Sequence, residues 1–281
     1  MSKAIFYKNI KVVLRYTKIF EFNNKLYIIG SKFMNEEGLI KKYWLVFYEL
    51  DSLFNIIPNT EIEFDFINKN NLLTSSFIRD IYLNTDDKKL YLNIELKNNI
   101  NNTYFEHDNY LISTNNLKNF KIEKKYDTKD FLFKDLEGNL FCSKIEEDKD
   151  FPNFNWGIYL YEFIINNKKI IPNFDKIVDY KKDKGHVLHN IIKNNDEYIL
   201  LFSIRHLVNN IPEFEYRNYL SKTKNLIDFY ETQEILFEDD FNNSDFYSYP
   251  NIFMYKDIYY LNCNQDEYGK SKDISLFKII F

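Results

Sequence analysis

Apolar and aromatic positions along the chain come in short runs separated by pairs and triplets of Asn, Asp, Gly and Lys, and no window holds a helical period over many residues. This pattern predicts β-strands joined by tight hairpins. One unit recurs, an apolar strand, a short polar turn and a second, usually aromatic strand, at residues 19–28, 81–92, 131–141, 191–200 and 252–261. With Tyr27, Tyr91, Phe141, Ile199 and Tyr260 taken as equivalent, it returns every ~50–64 residues, which suits a four-stranded sheet with one or two long loops. A second pattern runs in step with it, its two full copies 109 residues apart where the hairpin anchors Tyr91 and Ile199 are 108 apart. Tyr110-Leu111-x-x-Thr114-x-Asn116-Leu117-x-x-Phe120 matches Tyr219-Leu220-x-x-Thr223-x-Asn225-Leu226-x-x-Phe229, and residues 46–54 carry a looser version.

Five such sheets closing radially hide their edges, so the expected fold is all-β, a five-bladed β-propeller with mostly four-stranded antiparallel blades. A β-sandwich is the alternative. Composition agrees with strands: Tyr (23) and Phe (27) dominate an aromatic share of 19%, and both fit pleated, half-buried surfaces. With 6 Gly, 5 Pro and no linker-like stretch, residues 1–281 read as a single domain. A net charge of −5 argues against nucleic acid as a partner. Cys142 and Cys263 lack metal-ligand spacing and read as free thiols of a reducing compartment. Residues 1–16 lack the apolar core of a signal peptide, and no apolar run approaches the ~20 residues of a membrane span. The expected location is cytoplasmic.

Residues 185–281 carry motifs of a known group. They include Ser203-Ile204-Arg205, Tyr216-Arg217-Asn218-Tyr219-Leu220-Ser221, Ser248-Tyr249-Pro250-Asn251, Asn264 and Tyr268-Gly269-Lys270. This stretch resembles the five-bladed glycosidase-like superfamily of glycoside hydrolase families 43, 32 and 130 and their bacterial relatives. The resemblance implies a carbohydrate-active protein, with a link to bacterial surface-polysaccharide biosynthesis among its readings. The chain also departs from the group, with Leu188-His189 where relatives place Arg-Pro and Asn264-Gln265 where they place Asn-Gly. In hydrolytic members the first three blades each give a carboxylate. Here the matching entrances hold Arg15-Tyr16, Arg79-Asp80 and Asp130, so blade one lacks its carboxylate.

Glycoside cleavage needs two carboxyl groups flanking the bond, and Asp80 with Asp130 is the candidate catalytic pair. The plainer reading makes Asp80 a structural partner of Arg79 or Arg15. Arg205, Arg217 and Lys270, if they share one face, suit an anionic ligand such as an acidic sugar or phosphate. Tyr249 and Tyr268 can stack on a sugar. With Arg15, Arg79, His189 and Asn264 they complete the candidate substrate-binding set. No spacing of histidines, cysteines or carboxylates fits a metal, and no Gly-rich phosphate loop or Gly-x-Ser-x-Gly elbow is present, so no cofactor is expected. Three functions stay open: glycosyl cleavage or transfer on a sugar or glycoconjugate, a phosphorylase-like use of the same site, and carbohydrate binding without catalysis. Oligomeric state is not readable from the sequence.

Overall fold

The structure, a computed structural model, describes residues 2–34, 42–64, 74–84, 87–101, 104–126, 131–134, 140–147, 159–165, 168–170, 173–174, 183–194, 196–208, 213–225, 228–238, 247–267 and 270–281. All regular structure in them is β. After β1 (Ser2–Ile10), β2 (Arg15–Phe22), β3 (Lys25–Met34), β4 (Lys42–Leu50) and β5 (Ile62–Glu63) form one four-stranded sheet in chain order. A second holds β6 (Thr74–Asn84), β7 (Lys89–Asn101), β8 (Tyr104–Thr114) and β9 (Lys121–Tyr126). A third holds β10 (Phe131–Lys134), β11 (Leu140–Glu147), β12 (Tyr159–Ile165) and β13 (Lys168–Ile170). β14 (Asn173–Phe174) precedes β15 (Asp183–Asn194), β16 (Glu197–Val208), β17 (Glu213–Thr223) and β18 (Asp228–Glu238), which again pair in order. The last strands, β19 (Tyr247–Tyr255), β20 (Ile258–Glu267) and β21 (Lys270–Ile280), lie in order with β1 beside β21. Among the described residues no helix is long and apolar enough to cross a membrane.

Contacts divide the chain into two compact units. Unit 1 is Met1–Ile5, Asp130–Asp239 and Lys278–Phe281, and unit 2 is Phe6–Lys129 and Asp240–Phe277. In unit 1, Ser2–Ile5 of β1 pair in parallel with residues 235–238 of β18. In unit 2, β1 supplies a fourth strand beside β21, a role the sequence reading did not assign to residues 1–16.

All five hairpins expected from the repeat are present as antiparallel pairs. Their turns explain the residues that mark them. Asn23 and Asn24 have φ of 51° and 59°, and Lys256 and Asp257 have 50° and 60°. Positive φ at both central residues suits the right-handed twist of the flanking strands, and Asn tolerates it where Lys does not. Lys256→Asn is therefore expected to stabilise the protein by about 0.5–1 kcal/mol, read from the urea unfolding midpoint.

The second repeat is also a turn. Thr114 Oγ1 accepts from the Leu117 N–H at 3.0 Å, and Asn116 Oδ1 accepts from Lys118 and Asn119 at 2.9 Å each. Asn225 Oδ1 likewise accepts from the Asp228 N–H at 2.8 Å. In the looser copy the Asp51 carboxylate accepts from Leu53 and Asn55, both at 2.8 Å. These side chains satisfy backbone donors that a strand ladder would have used. Each of these two turns, at residues 51–55 and 114–119, pushes one apolar residue inward, Phe54 or Leu117, at φ 61° or 56° and almost fully buried.

Among the described residues unit 2 holds two cores, one on each face of the β2–β5 sheet. Tyr27, Ile29, Leu45 and Phe47 pack with Leu90, Leu92, Ile94 and Leu96 of β7. Their chain neighbours Ile28 and Val46 turn to the other face, with Phe54, Phe253, Tyr260, Ile274 and Leu276. Successive residues of a strand point to opposite faces, so a sheet sandwiched between two others reads as a continuous apolar run.

Candidate functional site

Four of the residues singled out from the sequence, Arg79, Asp80, His189 and Tyr249, fall in or directly after a repeated irregularity. In four strands, β2, β6, β15 and β19, the register slips by one residue: between Arg15 and Lys18, Ile78 and Asp80, Leu188 and Asn190, and Ser248 and Asn251. Each slip is a β-bulge, which bends the strand and re-aims a side chain off the ladder. The bulged positions are Tyr16-Thr17, Arg79, His189 and Tyr249-Pro250. The residue just after each bulge is polar: Lys18, Asp80, Asn190 and Asn251.

In unit 2 the bulges of β2 and β19 come together. Tyr16 and Tyr249 have φ of 54° and 53°, a left-handed conformation that costs a bulky residue about 1–2 kcal/mol. Their rings touch, with centroids 4.2 Å apart and a tilt of 47°, and both are half-buried. Three features hold the β2 bulge. Asn262 Nδ2 donates to the Thr17 carbonyl (3.1 Å) and to Thr17 Oγ1 (2.9 Å), and Asn251 Nδ2 donates to Asn262 Oδ1 at 3.0 Å. Asn264 Nδ2 donates to the Leu14 carbonyl. Gly30, opposite the bulge, leaves the room: a Cβ there would sit 2.8 Å from Thr17 Cγ2 and 2.9 Å from Leu14 Cβ. Cys263, opposite the β19 bulge, is fully buried and free, and burial pushes its thiol pKa well up, which leaves it unreactive.

The second sheet of unit 2 places Asp80 across from Asn93, and Phe77 across from Glu95. Asn93 and Glu95 alternate with Leu92, Ile94 and Leu96 and so lie on the face away from the core that β7 shares with β2–β5. Both are almost fully buried, as is Asn109 opposite Glu95 on β8. Neither polar atom of the Asn93 amide has a hydrogen-bond partner. Asn264 Oδ1 is also buried without one.

In unit 1, His189 Nε2 meets Ser203 Oγ, which donates to Asn218 Oδ1 at 2.7 Å. Ser203 is buried and its proton is committed, so this group is not the exposed nucleophile–base pair of a hydrolytic triad. Arg217, half-exposed, stands 3.9 Å from Glu234 in a loose ion pair. A shallow cavity of about 250 Å³ lies elsewhere in unit 1, between Glu197, Lys224, Asn225, Asp228 and Tyr230. Its side chains bond one another, Tyr230 to Glu197 and Asn225 to Asp228, each at 2.7 Å.

Of the other candidates, Asp130 and Tyr268 lie outside the described residues, and for Arg79, Asp80, Arg205 and Lys270 only the course of the backbone is described. Arg15 lies opposite Ser31, directly before the β2 bulge. Lys18, Glu95, Asn190, Asn251 and Asn262 were not singled out from the sequence. A signal for part of this layer was present: four residues after the anchors Tyr27, Tyr91, Ile199 and Tyr260 stand Ser31, Glu95, Ser203 and Asn264, all polar and all buried.

No protein-family model and no curated protein sequence matches the chain. Among solved structures it is similar to a glycoside hydrolase, at 10% identity and TM-score 0.62, over 97% of this chain and 91% of that one. It is similar to an exo-1,5-α-L-arabinanase from a bovine ruminal metagenomic library, at 12% identity and TM-score 0.55, over 96% and 94% of the two chains. A third is an α-L-arabinanase of Cellvibrio cellulosa complexed with arabinohexaose, at 10% identity and TM-score 0.55, over 95% and 92%. These neighbours are five-bladed propellers of the family 43 type, and at such identities the likeness is one of fold.

Proposed function

We propose that the chain is a carbohydrate-active protein, a five-bladed β-propeller that cleaves or transfers a glycosyl group at the bulged strands of unit 2. The observation that carries this reading is the one-residue bulge at the same place in β2, β6, β15 and β19. A bulge repeated at one register position sets a matched series of side chains off their ladders, and bulges concentrate beside binding sites. In unit 2 this series includes the Tyr16–Tyr249 ring pair, an apolar face with phenol edges that suits a sugar ring. Asp80 supplies the carboxylate of the same series.

A second reading is carbohydrate binding without turnover. The specific observation in its favour is Tyr16 itself, at the blade-one entrance where hydrolytic members of the resembling group carry a carboxylate, with its ring packed on Tyr249.

Arabino-oligosaccharides are the first ligands to try, since one structural neighbour was solved with arabinohexaose. Product release on chromatography supports cleavage, and calorimetric binding without product supports the second reading. Neither event across a panel of neutral and acidic oligosaccharides would sink both. On whichever sugar binds, Tyr249→Ala is expected to weaken affinity by about tenfold, or about 1.4 kcal/mol.

A further inference from the structure

The cavity of about 250 Å³ in unit 1 lies where the β15–β16 hairpin brings Glu197 and the β17–β18 turn brings Lys224, Asn225 and Asp228; Tyr230 of β18 also lines it. Internal bonds fix its two carboxylates. The Tyr230 hydroxyl donates to Glu197 Oε1 and Asn225 Nδ2 donates to Asp228 Oδ2, each at 2.7 Å. Among the described residues Glu197 Oε2 and Asp228 Oδ1 have no bond of their own, and the Lys224 ammonium pairs with neither carboxylate. The cavity thus presents fixed acceptors and a separate donor.

The turn itself does not require this lining. The copy of the pattern at residues 110–120 makes the same turn in unit 2. There Asn116 Oδ1 accepts from the Asn119 N–H at 2.9 Å, as Asn225 Oδ1 accepts from the Asp228 N–H at 2.8 Å. At the places matching Glu197, Lys224, Asp228 and Tyr230 stand Lys89, Asn115, Asn119 and Lys121. Both of those lysines are in ion pairs, Lys89 with Asp87 at 3.8 Å and Lys121 with Glu123 at 2.9 Å. One backbone turn is built with either set, so the carboxylates, phenol and ammonium around the cavity are surplus to folding.

We propose that this cavity is a second ligand site, which takes one sugar ring or a polyol of that size, uncharged or carrying an amine. Carboxylate oxygens accept from the hydroxyls of a vicinal diol in charge-assisted bonds, and a lysine ammonium donates to a hydroxyl or ring oxygen. The Tyr230 ring gives an apolar wall for the C–H face of a sugar. Two carboxylates against one ammonium leave the lining net negative, which turns away an anionic sugar. The volume is below the ~300 Å³ at which sites for drug-sized ligands begin, so it suits a single ring. This inference goes beyond the site at the bulged strands of unit 2 and does not depend on it.

The full chain, labelled with ¹⁵N, is titrated with arabinose, galactose, glucosamine and galacturonic acid. At least one of the first three is expected to shift the backbone amide signals of Glu197, Lys224, Asn225, Asp228 and Tyr230, and galacturonic acid to leave them in place. Glu197→Gln and Asp228→Asn keep the bonds to Tyr230 and Asn225 but remove the charges, and each should weaken that binding about fivefold. Tyr249→Ala should leave these shifts as they are. The proposal is overturned by no shift at these residues with any of the four sugars, or by galacturonic acid binding as well as glucosamine. Unchanged affinity in the Glu197→Gln/Asp228→Asn double variant overturns it too. The wild-type titration decides the first two points without any variant having to fold. A protein that keeps these shifts while failing the oligosaccharide tests loses the proposed function and not this site.

Discussion

Asp80→Asn is expected to lower turnover by about 10²–10⁴-fold on any glycoside the protein cleaves, while its thermal midpoint stays within a few degrees of wild type. Asp80 is the first residue after the β6 bulge, the position that Lys18 takes in β2, Asn190 in β15 and Asn251 in β19. Three of these carry uncharged amides or an ammonium, so Asp80 is the carboxylate of the series. The amide of Asn keeps its shape and hydrogen-bonding reach but can neither hold a negative charge nor take a proton. Rates come from product release on the best oligosaccharide, and the midpoint from a melting curve. An Asp80→Asn protein with full activity would remove Asp80 from the chemistry and put the catalytic carboxylate elsewhere.

Asn262→Leu is expected to cost about 3–4 kcal/mol of stability, because it strands three buried polar groups at once. The Asn251 amide would lose its acceptor, and the Thr17 carbonyl and hydroxyl would lose a donor. The β2 bulge, with Tyr16 at positive φ, depends on those same bonds. Asn93→Leu makes the opposite case with the same residue types. The Asn93 amide is buried with no partner at either polar atom, so replacing it by an apolar group of similar size should be neutral or stabilising. Urea unfolding of the two variants gives both signs in one experiment. Equal losses for Asn262→Leu and Asn93→Leu would show that the hydrogen bonds to Thr17 do not set the stability of this layer.

The hairpins were legible because their turns need particular residues. Asn23-Asn24 and the Thr114–Phe120 segment announce themselves by chemistry that few other residues supply. The bulges were not legible, because a one-residue slip leaves the run of apolar and polar letters nearly unchanged while moving each later side chain relative to its partner. Arg79 and His189 were picked out as polar letters at strand entrances, and only the cross-strand register shows that both sit in bulges. Asn264 shows the limit for the site. An asparagine late in a strand reads equally well as a ligand contact or as a clamp on a neighbouring backbone, since it carries both donors and acceptors. Its Nδ2 is bonded to the Leu14 carbonyl, while its Oδ1 has no hydrogen-bond partner. The part played by β1 was hidden for a different reason: its partners lie at the far end of the chain, and no local pattern points to them.

That last feature bears on how the protein is made. Ser2 bonds Gln233, 231 positions away, so β1 leaves the ribosome long before β18 and β21 exist. Through most of synthesis it is a strand with two bare edges, the kind of segment that pairs with whatever strand comes near. Lysines at positions 3, 8 and 11 put charge along and just beyond it, a common guard against such pairing. In the finished fold each has a use, Lys3 with Glu238, Lys8 with Asn55 and Lys11 with Asp273. The same three ammonium groups thus serve first to keep a waiting strand apart from other nascent chains, and later to fasten it where it belongs.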